Sequence, residues 1–175
     1  MAPAPLILYQ DGDNMFHHRW VDESGSVAFS VTEASKSPNL VIKLHREPKW
    51  AQMHTSILGP EKSWFYLGPN QQPGYVVYGN NQTSLGMMEK FRKRKRDGSP
   101  SRYFVSQSGR EYKWKISQTK MECMDSWTTV AVWELSQPEE DHYGKLTLKP
   151  AALPLATEIM TSLVLNKMAA DLGWD

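Results

Sequence analysis

The chain has 175 residues, 40% hydrophobic and 22% charged, with a net charge of +1. That is the composition of one soluble globular domain spanning 1–175, able to bury about 70% of its unfolded surface, and it excludes disordered, collagen-like and membrane-embedded classes. The single cysteine, Cys123, excludes an internal disulfide, and Lys90, Arg92, Lys93, Arg94, Lys95 and Arg96 put six positive charges into seven residues, leaving −5 on the rest against the total of +1.

The N-terminal stretch Met1–Gln10 has no basic n-region, and its apolar run is too short for a signal peptide. The expected location is therefore intracellular, in the cytoplasm or nucleus, with the sequon Asn81-Gln82-Thr83 unglycosylated.

Leu6 to Tyr9 is a short apolar run closed by the turn Asp11-Gly12-Asp13-Asn14. Met15 to Val21 follows, and Val27, Phe29 and Val31 alternate along a strand after Gly25. Ser35 to Asn39 reads as a loop, and Leu40 to His45 as a strand with Leu40, Ile42 and Leu44 on one face. Trp50 to Leu58 alternates loosely, Trp64 to Leu67 and Tyr75 to Tyr78 are β-rich, and Leu85 to Phe91 leads into the basic run. Arg102–Val105 and Glu111–Ile116 pair across Ser108-Gly109. Met121–Met124, Thr128–Leu135 and Lys145–Leu148 complete about a dozen strands.

Residues 154–172 differ from everything before them. Leu155, Ile159, Leu163 and Asn166 follow one helical row, and Ala156, Met160, Val164 and Met168 another, between Pro154 and Gly173. Leu165, Ala169 and Leu172 spread the apolar surface further, and the polar residues between are the small Thr157, Thr161 and Ser162. A helix apolar nearly all round is buried on most sides. A membrane span needs about 20 apolar residues, whereas Glu158 and Lys167 leave only Ile159 to Asn166 uncharged. The alternative is an amphipathic helix on one sheet face. The many preceding strands favour a closed antiparallel barrel of about twelve strands around a central helix, since closure removes sheet edges and the helix fills the lumen.

Ser101-Arg102-Tyr103-Phe104, Tyr112-Lys113-Trp114-Lys115, Val130-Ala131-Val132-Trp133, Gly144-Lys145-Leu146-Thr147-Leu148 and the helix from Leu153 resemble a fungal, mainly basidiomycete, family of small proteins. That family looks related to the tubby C-terminal, LURP-one-related and phospholipid scramblase group. The likeness spans about residues 100–172. It implies a twelve-stranded barrel around a C-terminal helix, and in that group tubby domains bind phosphoinositide headgroups through basic residues while scramblases act at membranes. No headgroup site maps residue by residue, and no acidic calcium loop is present. The fold it implies does not settle an activity.

The basic residues Lys90, Arg92, Lys93, Arg94, Lys95 and Arg96 suit anionic headgroups, nucleic-acid phosphates, nuclear import or simply a solvated hairpin tip. His17, His18, His45, His54 and His142 lack metal-site spacing, so no metal is expected, and each reads as an exposed or hydrogen-bonded strand histidine. No nucleophile motif or phosphate loop is present, so no cofactor is expected, and Cys123 reads as a buried inert thiol. Trp64, Tyr66, Tyr75, Tyr78, Tyr103, Tyr112, Trp114, Trp127 and Trp133 are core or barrel-wall candidates, some bordering an apolar ligand pocket.

The leading expectation is a non-catalytic module binding an anionic lipid or amphipathic small molecule at or off a membrane surface. A small secondary-metabolism cyclase or isomerase with a pocket at the barrel mouth is the second reading, and a nuclear or scaffold protein with an import signal the third.

Overall fold

The computed structural model describes residues 3–79 and 83–174, with the backbone alone at position 83, so Asn81 and Gln82 of the sequon lie outside the described residues. Twelve strands form among the described residues: β1 (Leu6–Asp11), β2 (His18–Val21), β3 (Val27–Ser35), β4 (Val41–Arg46), β5 (Lys62–Tyr66), β6 (Tyr75–Tyr78), β7 (Thr83–Gly86), β8 (Ser101–Val105), β9 (Glu111–Ile116), β10 (Lys120–Met124), β11 (Thr129–Leu135) and β12 (Gly144–Leu148). All pairs are antiparallel, in the order β7-β6-β5-β4-β3-β2-β1-β12-β11-β10-β9-β8. The two chain halves meet where β1 pairs with β12, Leu8 opposite Leu146.

The expected closed ladder is not formed among the described residues. β7 and β8 are the two ends of the sheet and do not pair with each other. Between them runs a π-helical turn, Met87–Phe91, followed by a single bridge in which Lys93 and Tyr103 exchange both backbone hydrogen bonds at 2.9 Å. The chain that leaves β7 thus spans the gap to β8 as coiled backbone rather than as a thirteenth strand.

Inside the sheet lies α2 (Ala156–Leu172), entered through a 3-10 segment, Pro150–Leu155, that contains Pro154. The regular helix therefore starts two residues later than Pro154 suggests. It ends at Gly173 with φ +67°, the left-handed conformation that glycine adopts most readily. Every residue from Ala156 to Asn166 is buried, as are Met168 and Ala169. Strands supply the enclosing shell by simple alternation: Ile42, Leu44 and Arg46 point inward from β4, Tyr112 and Trp114 from β9, Met121 and Cys123 from β10. No described helix is long and apolar enough to cross a membrane.

One expected strand is a helix. Residues 48–53 form α1 (Pro48–Met53), because Pro48 at its first turn has the fixed φ a helix needs while Glu47 before it stays extended. Its one buried residue, Trp50, packs on Phe29 and donates Nε1–H to Asp22 Oδ2 at 3.0 Å.

Candidate functional site: the basic turn and the outer face

The six cations of the basic run do not share one environment. Phe91 and Arg92 follow the π turn inward, and Arg92 is only 2% exposed. Its Nε donates to Asn166 Oδ1 of the central helix at 2.8 Å. Arg92 is therefore a core residue, and the expected placement of this residue on an anion-binding surface is corrected. The physical reason is that an apolar helix carrying an amide needs a polar partner inside the shell. Lys90, Lys93, Arg94, Lys95 and Arg96 remain exposed. Lys95 pairs with Glu111 and lies 4.1 Å from the Tyr103 ring centroid.

Strand register adds charges that spacing along the chain does not reveal. Lys93 bridges Tyr103, Tyr103 stands opposite Lys113, and Ser101 stands opposite Lys115. Lys113 and Lys115 alternate outward on β9 while Tyr112 and Trp114 go inward. The outer face from the 93–96 turn across β8 and β9 is therefore cationic, opposed locally by Glu111, and by Glu122 on β10, which Lys120 engages at 2.8 Å.

The other polar residues of α2 meet similar inward partners. Arg46 Nη1 donates to Thr157 Oγ1 at 2.8 Å, and Trp114 Nε1 donates to Ser162 Oγ at 2.8 Å. Thr161 donates to the Thr157 carbonyl, so Ser63 is the donor in its 2.9 Å bond to Thr161. Glu158 accepts from the Gln107 backbone N–H at 3.1 Å; burial raises its carboxyl pKa, and it in turn helps burial push the Tyr78 phenol far above its ordinary range. These partners come from opposite walls of the sheet. Trp114→Phe, which removes the donor and leaves a cavity where the rest of the indole sat, is expected to cost about 2–4 kcal/mol in urea unfolding.

At the far end of α2, Lys167 Nζ sits 3.6 Å from the Trp133 ring centroid and 5.2 Å from that of Tyr143. Burial lowers its pKa to about 8. His18 nearby is buried, with Nδ1 against the Asn14 carbonyl at 2.9 Å, and burial lowers its pKa to about 4. A folded-state pKa below the unfolded value of about 6.5 favours the fold where the imidazole is neutral. The His18 contribution is thus complete above about pH 6.5 and is lost as pH falls toward 4, by about 3 kcal/mol. Urea midpoints between pH 7 and 4.5 are expected to fall, and His18→Asn to flatten the fall.

Of the remaining histidines, His17 is exposed and the other three have local partners. His45 contacts Glu47 at 2.8 Å, His54 stacks on Trp50, and His142 packs against Tyr9. No group of metal-ligating side chains occurs among the described residues. Cys123 is buried, and burial raises its thiol pKa. The aromatics divide: Tyr78, Tyr112, Trp114 and Trp133 are core, whereas Trp127 is 88% exposed and not a wall residue. Asp125 Oδ1 accepts from the Trp127 and Thr128 backbone N–H groups, fixing a tight turn from which the indole projects. Trp64, Tyr66 and Tyr75 lie on the outer face of β5 and β6, with Tyr66 and Tyr75 stacked at 4.8 Å.

Together these features define a class: a mainly-β protein whose twelve-stranded antiparallel sheet surrounds a buried C-terminal helix, with a cationic turn where the sheet ends approach. The chain belongs to a family of unknown function, DUF6593, whose model matches residues 13–169. A solved structure of a protein from Arabidopsis thaliana is similar at 13% identity, covering 93% of this chain and 91% of that one, with a TM-score of 0.43. No curated protein matches the chain.

Proposed function

We propose that this chain is a non-catalytic intracellular module, cytoplasmic or nuclear, that binds an anionic lipid or amphipathic small molecule. In this reading the π turn and the Lys93–Tyr103 bridge stand in for the missing strand pair, so that the molecule counts as a barrel of the tubby-like type. The observation that supports it is the continuous outer patch of Lys93, Arg94, Lys95, Arg96, Lys113 and Lys115. Such residues contribute about 1 kcal/mol each near an anionic leaflet, and the attraction is screened by salt.

Co-sedimentation with phosphoinositide liposomes tests this. Binding at low salt, release at high salt, and a loss of about 10-fold or more on replacing Lys93, Arg94, Lys95 and Arg96 by Ala are expected. Absence of binding at low salt, or no change in the quadruple variant, removes the proposal. Ser99 adjoins the patch, its Oγ accepting from the Ser101 N–H at 3.2 Å. Negative charge there opposes anion contact, so Ser99→Asp is expected to weaken liposome binding in the same assay. If the basic turn serves import instead, liposome binding fails, and a tagged protein loses nuclear fluorescence when Lys93, Arg94, Lys95 and Arg96 are replaced by Ala.

A further inference from the structure

Arg46 closes β4 as the last inward residue of an alternating strand and is 8% exposed. Its guanidinium is used on one side only. Nη1 donates to Thr157 Oγ1 at 2.8 Å and to the Leu58 carbonyl at 3.3 Å, while Nε is buried without a partner and Nη2 has none among the described residues. Nε is closed off from solvent, so Nη2 is the guanidinium nitrogen left to a carboxylate or phosphate oxygen. Arg46 lines a recess of about 370 Å³ at the end of β4 and β5, together with Lys62, Trp64 and Val77. Lys62 is exposed and makes no ion pair among the described residues; Glu61 beside it is the opposing charge, and Glu158 is engaged by Gln107 N–H.

Trp64 also borders a second recess, about 440 Å³, which continues along the outer face past Tyr66 and Tyr75 to Pro38 and Asn39. Lys43 lies 5.2 Å from the Trp64 ring centroid. Lys62, Trp64 and Tyr66 alternate outward on β5, so the trough from its cationic end to its aromatic end is roughly 13 Å long at 3.3 Å per residue. Small-molecule sites fall in this size range, with a few polar anchors on an apolar lining.

We propose that the outer face of β5 is a groove for a single-headed amphipathic anion. Arg46 and Lys62 take its carboxylate or phosphate oxygens, and Trp64, Tyr66 and Tyr75 carry its apolar part. The proposal deepens the ligand class read above but uses none of the residues in the 93–96 turn. A free inorganic anion would leave the aromatic wall unused, which distinguishes it from the amphiphile.

Calorimetric titration of the full chain with decanoate, decyl phosphate and inorganic phosphate, all below micellar concentrations, decides the matter. Binding of at least one decyl compound is expected, and the stronger of the two identifies the head group. Trp64→Ala and Lys62→Glu, both outer-face changes that leave the core intact, are each expected to weaken it by about 10-fold, as is Arg46→Lys, which keeps the charge but loses Nη2. Decyl binding that is lost on replacing Lys93, Arg94, Lys95 and Arg96 by Ala but kept in Trp64→Ala would put the ligand on the basic turn and overturns the groove. No binding of either decyl compound overturns the groove. So does binding that Trp64→Ala and Lys62→Glu leave untouched, or inorganic phosphate binding as tightly as decyl phosphate. Liposome binding that survives the groove variants but fails in the quadruple variant separates the two surfaces.

Discussion

Alanine at Ile159, Met160, Leu163 or Leu165 is expected to lower the unfolding free energy by about 2–5 kcal/mol in each case. The four side chains are all 0% exposed although they point in different directions around α2. Successive helical residues are separated by about 100°, so Ile159 and Met160 cannot face the same wall. A helix packed on a single sheet face would behave otherwise: its outward residues would change stability by no more than about 0.5 kcal/mol. Urea unfolding followed by tryptophan fluorescence reads the difference directly. Costs on all faces are the signature of an enclosed helix, and a neutral result at two of the four positions would place α2 on the outside. Against total stabilities of about 5–15 kcal/mol, two of these changes together, about 4–10 kcal/mol, are expected to remove a large part of the margin.

Arg92→Met is expected to cost about 3 kcal/mol, whereas Lys93→Ala and Arg94→Ala stay within about 0.5 kcal/mol. The neighbours differ only in direction. Arg92 is buried and bonded to Asn166, so removing it strands the Asn166 carbonyl oxygen in the core and takes away a charge-assisted hydrogen bond. Lys93 and Arg94 extend into water. Replacing both members of the pair, Arg92→Met with Asn166→Leu, removes donor and acceptor together and is expected to recover more than half of the loss. Equilibrium unfolding of the two single variants and the double completes the cycle. A double variant as unstable as the sum of the singles would mean that the bond is incidental. The same contrast is expected in the liposome assay of the proposed function: replacing the exposed cations should change affinity without changing stability, and replacing Arg92 should do the reverse.

The strand count, the β8–β9 hairpin and the glycine that ends α2 were legible because each depends on a few consecutive residues. Alternation at Val27, Phe29 and Val31 or at Ile42 and Leu44 reports a half-buried strand wherever that strand pairs. The α1 segment was missed for a related reason. Trp50 to Leu58 alternates loosely, but the fixed φ of Pro48 starts a helical turn before any alternation can be used. Asn166, Thr157 and Ser162 in an apolar helix could have signalled inward polar partners, since buried polar groups need them. Nothing local identified those partners as Arg92, Arg46 and Trp114.

Composition and periodicity by themselves determined a mainly-β chain with a C-terminal helix apolar on every side, because burial demand is written into each segment separately. Only the tertiary structure decided that the ladder stops at β7 and β8 among the described residues, that one of the six cations of the basic run turns inward, and that Arg46 lines the same recess as Trp64. Those outcomes turn on contacts between residues 74 and 111 positions apart, Arg92 with Asn166 and Arg46 with Thr157. An alternating pattern is the same whichever strand lies next to it, so register and closure are properties of the assembled sheet.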